Sequence, residues 1–220
     1  MRERGIPQLG SGLVFPIAEE DILCDPMDIP THWPRLCGID FGWDHPTAVV
    51  WITWDRDTDI VYIYDCYAMR QETVPVHASA INGRGKWIPV VWPMDGRQAD
   101  KGSGKSLTEQ YRKEGVNMLR DHFSNPSSNG MKEGSGGNSV EAGIMEILTR
   151  MQTKRLKIFK NQSKLLEELR MYHRKDGKIV PAHDDVISAM RYCVMSLRKA
   201  RIKNYQPMQF QTDSEFNVFK

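Results

Sequence analysis

Leu36-Cys37-Gly38-Ile39-Asp40-Phe41-Gly42 decides how this chain folds. It reads as a short apolar strand closed by a glycine, with one carboxylate, Asp40, inside it. An acid inside a core strand is costly to bury unless it is paired or binds a metal. The glycines on either side of Asp40 leave room for a ligand or another backbone to come close.

The runs that follow look like its strand neighbours. Thr47 to Trp54 and Ile60 to Met69 are β-branched and aromatic, and the polar turn Asp55-Arg56-Asp57-Thr58-Asp59 joins them. That turn begins like a calcium loop, but Ile60 and Cys66 stand where such a loop needs Gly and Glu. A solvated hairpin turn is the better reading. The three runs are expected to pair as consecutive antiparallel strands.

Farther along, a helix is expected over Val74 to Ile81, and a buried strand over Ile88 to Met94, ending at Asp95. Ser106 to Gly115 reads as a helix capped near Ser106 or Thr108. Residues 121–139 are crowded with Ser, Asn and Gly and read as a flexible loop. Val140 to Met151 has helical apolar spacing, Leu156 to Phe159 is a strand, and Ser163 to Tyr172 is a helix. A hairpin turn follows at Lys175-Asp176-Gly177-Lys178, then a long helix over Asp184 to Ile202. Antiparallel strands first, then β/α alternation, imply a mixed sheet flanked by helices. That order fits an α/β fold of the RNase H-like (resolvase/integrase) type, with an added β-hairpin. Residues 1–35 are expected to form a lead-in packed on the domain, 36–202 the domain itself, and 203–220 a flexible tail.

In that fold the first strand, the fourth strand and the last helix converge. Asp40, Asp95 and the pair Asp184/Asp185 then meet at one edge of the sheet. Alone, Asp184 or Asp185 reads as a helix N-cap and Asp95 as a strand-end turn residue; together they read as a site. Clustered carboxylates repel, which raises the pKa of at least one of them without a cation. Oxygen-only ligands select Mg²⁺ or Mn²⁺ over zinc. Two such ions about 4 Å apart can activate water and receive a leaving 3′ oxygen, which is phosphodiester hydrolysis.

The bulk composition narrows the alternatives. The four cysteines, Cys24, Cys37, Cys66 and Cys193, are scattered, so a zinc site of usual spacing is not expected. No apolar run approaches the roughly 18 residues of a membrane span, and Met1-Arg2-Glu3-Arg4 leads into polar sequence rather than a signal peptide. The net charge of +2 conceals an asymmetry: residues 150–203 hold fifteen basic and five acidic side chains. Their plain reading is solvated helix faces. The alternative is a phosphate-tracking surface beside the acidic site, with the hairpin from Tyr172 to Pro181 lying on DNA.

Gly38-Ile39-Asp40-Phe41-Gly42 followed by Pro46-Thr47-Ala48 resembles the opening nuclease motif of the large terminase subunits of tailed bacteriophages. Residues 5–16 are similar to the segment that leads into that nuclease. Gly177-Lys178-Ile179-Val180, His183-Asp184-Asp185 and Ser188-Ala189-Met190-Arg191-Tyr192 resemble its closing motif. The resemblance covers about residues 5–202. It implies an endonuclease that cuts concatemeric double-stranded viral DNA at the start and end of packaging. Asp40, Asp95 and the Asp184/Asp185 pair would hold its metals, and which of the last two is the main ligand stays open. It further implies a terminase small subunit, an ATPase motor domain and a portal protein as partners, in the host bacterial cytoplasm and outside the mature virion. A motor and a nuclease do not both fit in 220 residues, so translocation activity is expected to be absent.

Ala99-Asp100-Lys101-Gly102-Ser103-Gly104-Lys105-Ser106 matches a relaxed phosphate-loop pattern. An NTPase is therefore one alternative function. Asp95 to Gln98 interrupt the strand-to-loop passage, and no later strand ends in a second magnesium ligand. A milder reading has Lys101 and Lys105 holding a DNA phosphate, alongside Arg174, Lys175 and Lys178 of the hairpin. The other alternative is a non-catalytic DNA-binding or assembly module on the same scaffold.

Overall fold

The computed structural model describes residues 12–99, 104–125 and 140–203. Three antiparallel strands form its centre: β2 (Arg35–Asp40), β3 (Thr47–Asp55) and β4 (Ile60–Met69). Two-residue β1 (Leu23–Cys24) and β5 (Val90–Val91) and four-residue β6 (Leu156–Phe159) extend it. The order across the sheet is β1-β6-β4-β3-β2-β5, with β1, β5 and β6 joined in parallel. This is the mixed sheet expected from the order of elements.

β3 is buried on both faces from Thr47 to Thr53, which explains its continuous apolar run. Alternation divides the core in two. Leu36, Val50, Ile52, Ile63 and Ile158 face one way, against α4 (Val140–Gln152), α5 (Ser163–Met171) and α6 (Asp185–Val194). Cys37, Ile39, Val49 and Trp51 face the other way, against α2 (Val74–Gly83) and α3 (Leu107–Lys113). The short helix α1 (Glu19–Ile22) leads into β1. Ser106 starts α3 with a reciprocal capping box, its side chain on the Glu109 amide and the Glu109 side chain on the Ser106 amide.

Two elements are shorter than their sequence patterns. The strand expected over 88–94 is only Val90–Val91, bounded by Pro89 and Pro93, which lack the N–H a ladder needs. Asp95 therefore sits in a 3₁₀ turn, Met94–Arg97, rather than on a strand end. The helix expected to reach Ile202 stops at Val194, and a 3₁₀ turn follows at Leu197–Lys199. There Arg201 exchanges both backbone hydrogen bonds with Arg35 at the start of β2, which requires extended chain.

The hairpin is present as β7 (Arg174–Lys175) and β8 (Lys178–Ile179). Residues 12–15 lie along its base: Leu13 bridges to His173, and Phe15 stacks on Tyr172. Residues 1–11 of the expected lead-in, residues 126–139 of the expected loop, Lys101, and the expected tail beyond Lys203 lie outside the described residues. No helix among the described residues is long and apolar enough to cross a membrane.

Candidate active site

Gly38 sets the distance between β2 and α6. A Cβ on Gly38 would collide with the carbonyl oxygen of Ala189 and sit 2.8 Å from Cys193 Sγ. Without it, α6 lies directly on the strand. Two residues on and on the same face, Asp40 accepts a hydrogen bond from the Tyr192 hydroxyl at 3.1 Å. The helix that makes this contact begins with Asp184 and Asp185.

Neither aspartate is consumed in capping that helix. Asp184 occupies the N-cap position but makes no side-chain capping bond. The amide protons of Val186 and Ile187 go instead to Glu168, a carboxylate 2% exposed that reaches across from α5. His183, just before the pair, has a left-handed backbone with φ of 53°, a costly conformation for a non-glycine residue.

The electrostatics are those of crowded acids. Burial pushes Asp40 up to about 7; Asp185 and Asp184 add to the rise, while the Tyr192 hydrogen bond and the Arg191 charge oppose it. Asp184 is raised by burial and by Asp185. Asp185 is raised by burial, against the pull of His45, Arg70 and His183.

Asp95 lies near this group on a separate turn, linked to it through Tyr192. Its neighbour Gly96 packs so tightly on Phe41, the residue after Asp40, that a Cβ there would lie 2.8 Å from the ring. Thr108 holds that turn by donating to the Gly96 carbonyl at 2.7 Å. Asp95 lines a groove with Phe41 and Gly42, and its charge is felt at Tyr192. The structure thus gathers Asp40, Asp184 and Asp185, with Asp95 exposed at the rim. Among the described residues no three His, Cys, Asp or Glu side chains form a ready-made metal cage. The donor chemistry nonetheless suits a hard cation. The donors are carboxylate oxygens, two of them uncommitted, and they repel one another as they stand.

The other expected contacts divide. Lys175 and Lys178 are exposed and face each other across the hairpin. Arg174 is held by Glu141 of α4, through two bonds of 2.8 and 2.7 Å. Lys105 is exposed, next to Ser106, which bridges to Ala99. The 3₁₀ turn Met94–Arg97 separates β5 from the phosphate-loop pattern, unlike the direct passage of a nucleotide-binding loop. Part of the basic stretch is paired with acids from elsewhere in the chain: Arg150 and Arg155 with Asp59, Lys154 with Asp21, Lys160 with Asp25 and Arg170 with Glu19. Asp59, in the turn that mimics a calcium loop, is thereby occupied by arginines.

A family model described as the terminase RNaseH-like domain matches residues 37–197. The chain belongs to that family. The chain is also 42% identical over 202 residues to the large terminase subunit of Salmonella phage P22, covering 91% of this chain and 39% of that protein. It therefore spans about two fifths of the length of this relative. The solved nuclease domain of the P22 large terminase superposes with a TM-score of 0.78 at 40% identity, over 88% of this chain and 96% of that one. The large terminase nuclease domain of bacteriophage SPP1, with bound Mn, shares the fold at 12% identity, with a TM-score of 0.54 over 80% of this chain and 96% of that one. In this terminase nuclease domain, sequence reasoning missed Glu168, Tyr192 and Arg191. Glu168 had a visible signal: it falls on the same helical side as Leu165 and Leu169, where a charge needs a reason. Tyr192 and Arg191 read as one apolar-face residue and one basic residue.

Proposed function

We propose that this domain is a metal-dependent endonuclease that hydrolyses double-stranded DNA during viral genome packaging. Asp40, Asp184, Asp185 and Asp95 would hold two Mg²⁺ or Mn²⁺ ions. The observation that carries the reading is Asp40. It is a carboxylate pushed up to about 7 at the end of a core strand, beside two aspartates that leave helix capping to Glu168. Such an arrangement is unfavourable for stability alone and gains a purpose when cations arrive. The Mn-bound SPP1 nuclease supports the choice of a divalent ion.

Bound ions would supply a water of lowered pKa and neutralise charge on the phosphate and the leaving oxygen. The chain's own residues do the rest. Tyr192 fixes the orientation of Asp40 by donating to Oδ1. Glu168 fixes the start of α6 and with it Asp184 and Asp185. Lys175 and Lys178 at the hairpin, with Lys101 and Lys105 on the loop after Asp95, would hold DNA phosphates without reading bases. Arg174 would stiffen the hairpin through Glu141 rather than meet DNA directly. Double-stranded DNA would reach the site with the ATPase motor domain, the small subunit and the portal protein, in the host cytoplasm.

The test is cleavage of supercoiled plasmid in Mn²⁺ or Mg²⁺. The wild-type domain should nick or linearise it, and Asp40→Asn should not, with its circular dichroism spectrum unchanged. Undiminished cutting by pure Asp40→Asn protein overturns the assignment.

A further inference from the structure

Arg191 is an unusual arginine. It is 6% exposed, yet it forms no ion pair among the described residues, and its Nη1 is buried without a hydrogen-bond partner there. Buried guanidinium groups are ordinarily paired, because desolvating the charge is expensive. Arg170 and Arg174, by contrast, each clasp a glutamate at the surface. Packing also holds Arg191 in place. A Cβ on Gly143 of α4 would lie 2.5 and 2.6 Å from its Cγ and Cδ, so α4 closes over the stem only because that residue is glycine. Its guanidinium carbon lies 5.3 Å from the centre of the Phe123 ring and 4.8 Å from that of Tyr192. These two rings pack on each other, with centroids 4.9 Å apart. The Tyr192 hydroxyl, in turn, donates to Asp40.

The charge therefore stands one ring away from the acids, directly paired with none of them. A cation over the Tyr192 ring draws density from it and strengthens the hydroxyl as a donor to Asp40. The same charge eases the crowding of both Asp40 and Asp184. A direct salt bridge would instead have occupied a carboxylate that a metal needs.

We propose that Arg191 is the resident counter-cation of the acidic site, a positioning residue that holds the metal-free aspartates together and sets how tightly divalent ions bind there. The proposal rests on the reading of the aspartates as metal ligands. In the metal-free protein the guanidinium offsets their repulsion. When a divalent ion enters, the fixed positive charge opposes it, so affinity stays below what the carboxylates alone would give. Weaker binding of this kind keeps exchange of the ion possible.

The experiment is thermal unfolding and calorimetric Mn²⁺ titration of the wild-type domain, Arg191→Met and Arg191→Lys. Arg191→Met keeps a flexible apolar stem but removes the charge. It should melt lower without metal and gain more from Mn²⁺ than the wild type does, with Mn²⁺ bound on the order of tenfold more tightly. Arg191→Lys keeps the charge and should show the wild-type Mn²⁺ affinity even where its melting point falls; should Arg191→Met not fold, Arg191→Gln, which also removes the charge, takes its place, with the same tightening expected and equal affinity overturning the proposal. Equal Mn²⁺ affinity in wild type and Arg191→Met would overturn the proposal and leave Arg191 a packing residue, with the metal site intact. Tightened Mn²⁺ binding in the lysine variant would also overturn it, since shape rather than charge would then matter. Wild-type protein that binds no Mn²⁺ would overturn the metal site itself, and the role of Arg191 with it.

Discussion

Glu168 Oε2 accepts the amide proton of Val186 at 2.9 Å, and it takes that of Ile187 as well, at 3.1 Å. A buried carboxylate on one helix thus caps the next, and that next helix carries the two aspartates. Glu168→Ala removes the acceptor and leaves two amide groups unpaired beside a small cavity. It should cost about 2–3 kcal/mol in denaturant unfolding and lower cutting at every Mn²⁺ concentration, because Asp184 and Asp185 lose their fixed origin. Glu168→Gln keeps an acceptor and should retain most of both.

The same residue gives a pH dependence. Burial pushes the Glu168 carboxyl from 4.5 up to about 7; Asp185 on α6 adds to the rise, while the two amide protons and Lys164 on α5 oppose it. Cys66 on β4 also faces it. A raised carboxyl pKa means that the folded protein holds the proton more tightly than the unfolded chain. The stabilising contribution is full below about pH 4.5 and is lost as pH rises toward about 7, an effect of up to roughly 3 kcal/mol. Urea unfolding of metal-free protein should therefore show a steeper fall in stability across this window for wild type than for Glu168→Gln. Parallel curves would rule the effect out.

Gly38→Ala tests the close approach of α6. The added methyl meets the Ala189 carbonyl and the Cys193 sulfur, so the helix must lift or tilt. A loss of about 1–3 kcal/mol is expected from such overpacking. Cutting should fall further than stability does, since Tyr192 and the aspartates move with the helix. A variant with wild-type cutting would show that the close approach is not needed for catalysis.

The hairpin separates two kinds of basic residue. Lys175→Ala and Lys178→Ala should each weaken DNA binding and reduce the dependence of log affinity on log salt by about 0.9 for each phosphate no longer neutralised. Arg174→Ala should change that slope less, because its charge is already matched by Glu141. Fluorescence anisotropy with a labelled duplex across a salt series measures both. An unchanged slope in the double lysine variant would remove the hairpin from the DNA surface.

Much of this molecule was legible from local pattern. β3 and β4 were visible because β-branched and aromatic runs break at a polar turn, and Asp40 stood out because nothing apolar explains it. Residues joined by distant contacts were not legible. The strand at Val90 shrank because prolines on both sides deny it a ladder, and α6 ended early because Arg201 pairs with Arg35, 166 positions away in the chain. Which members of the basic stretch from Arg150 are paired was also hidden, because their partners Asp21, Asp25, Asp59 and Glu19 lie far off in sequence. Arg191 gave no sign of burial, since the room for it comes from Gly143, on a different helix.

The most direct test of the shared acidic site is a crystal of the domain soaked in Mn²⁺, with the anomalous signal located. Peaks should fall within direct coordination distance of carboxylate oxygens of Asp40 and of Asp184 or Asp185, with Asp95 turned toward one of them. Peaks that leave Asp40 uncoordinated, at a Mn²⁺ concentration that supports cutting, would contradict the account.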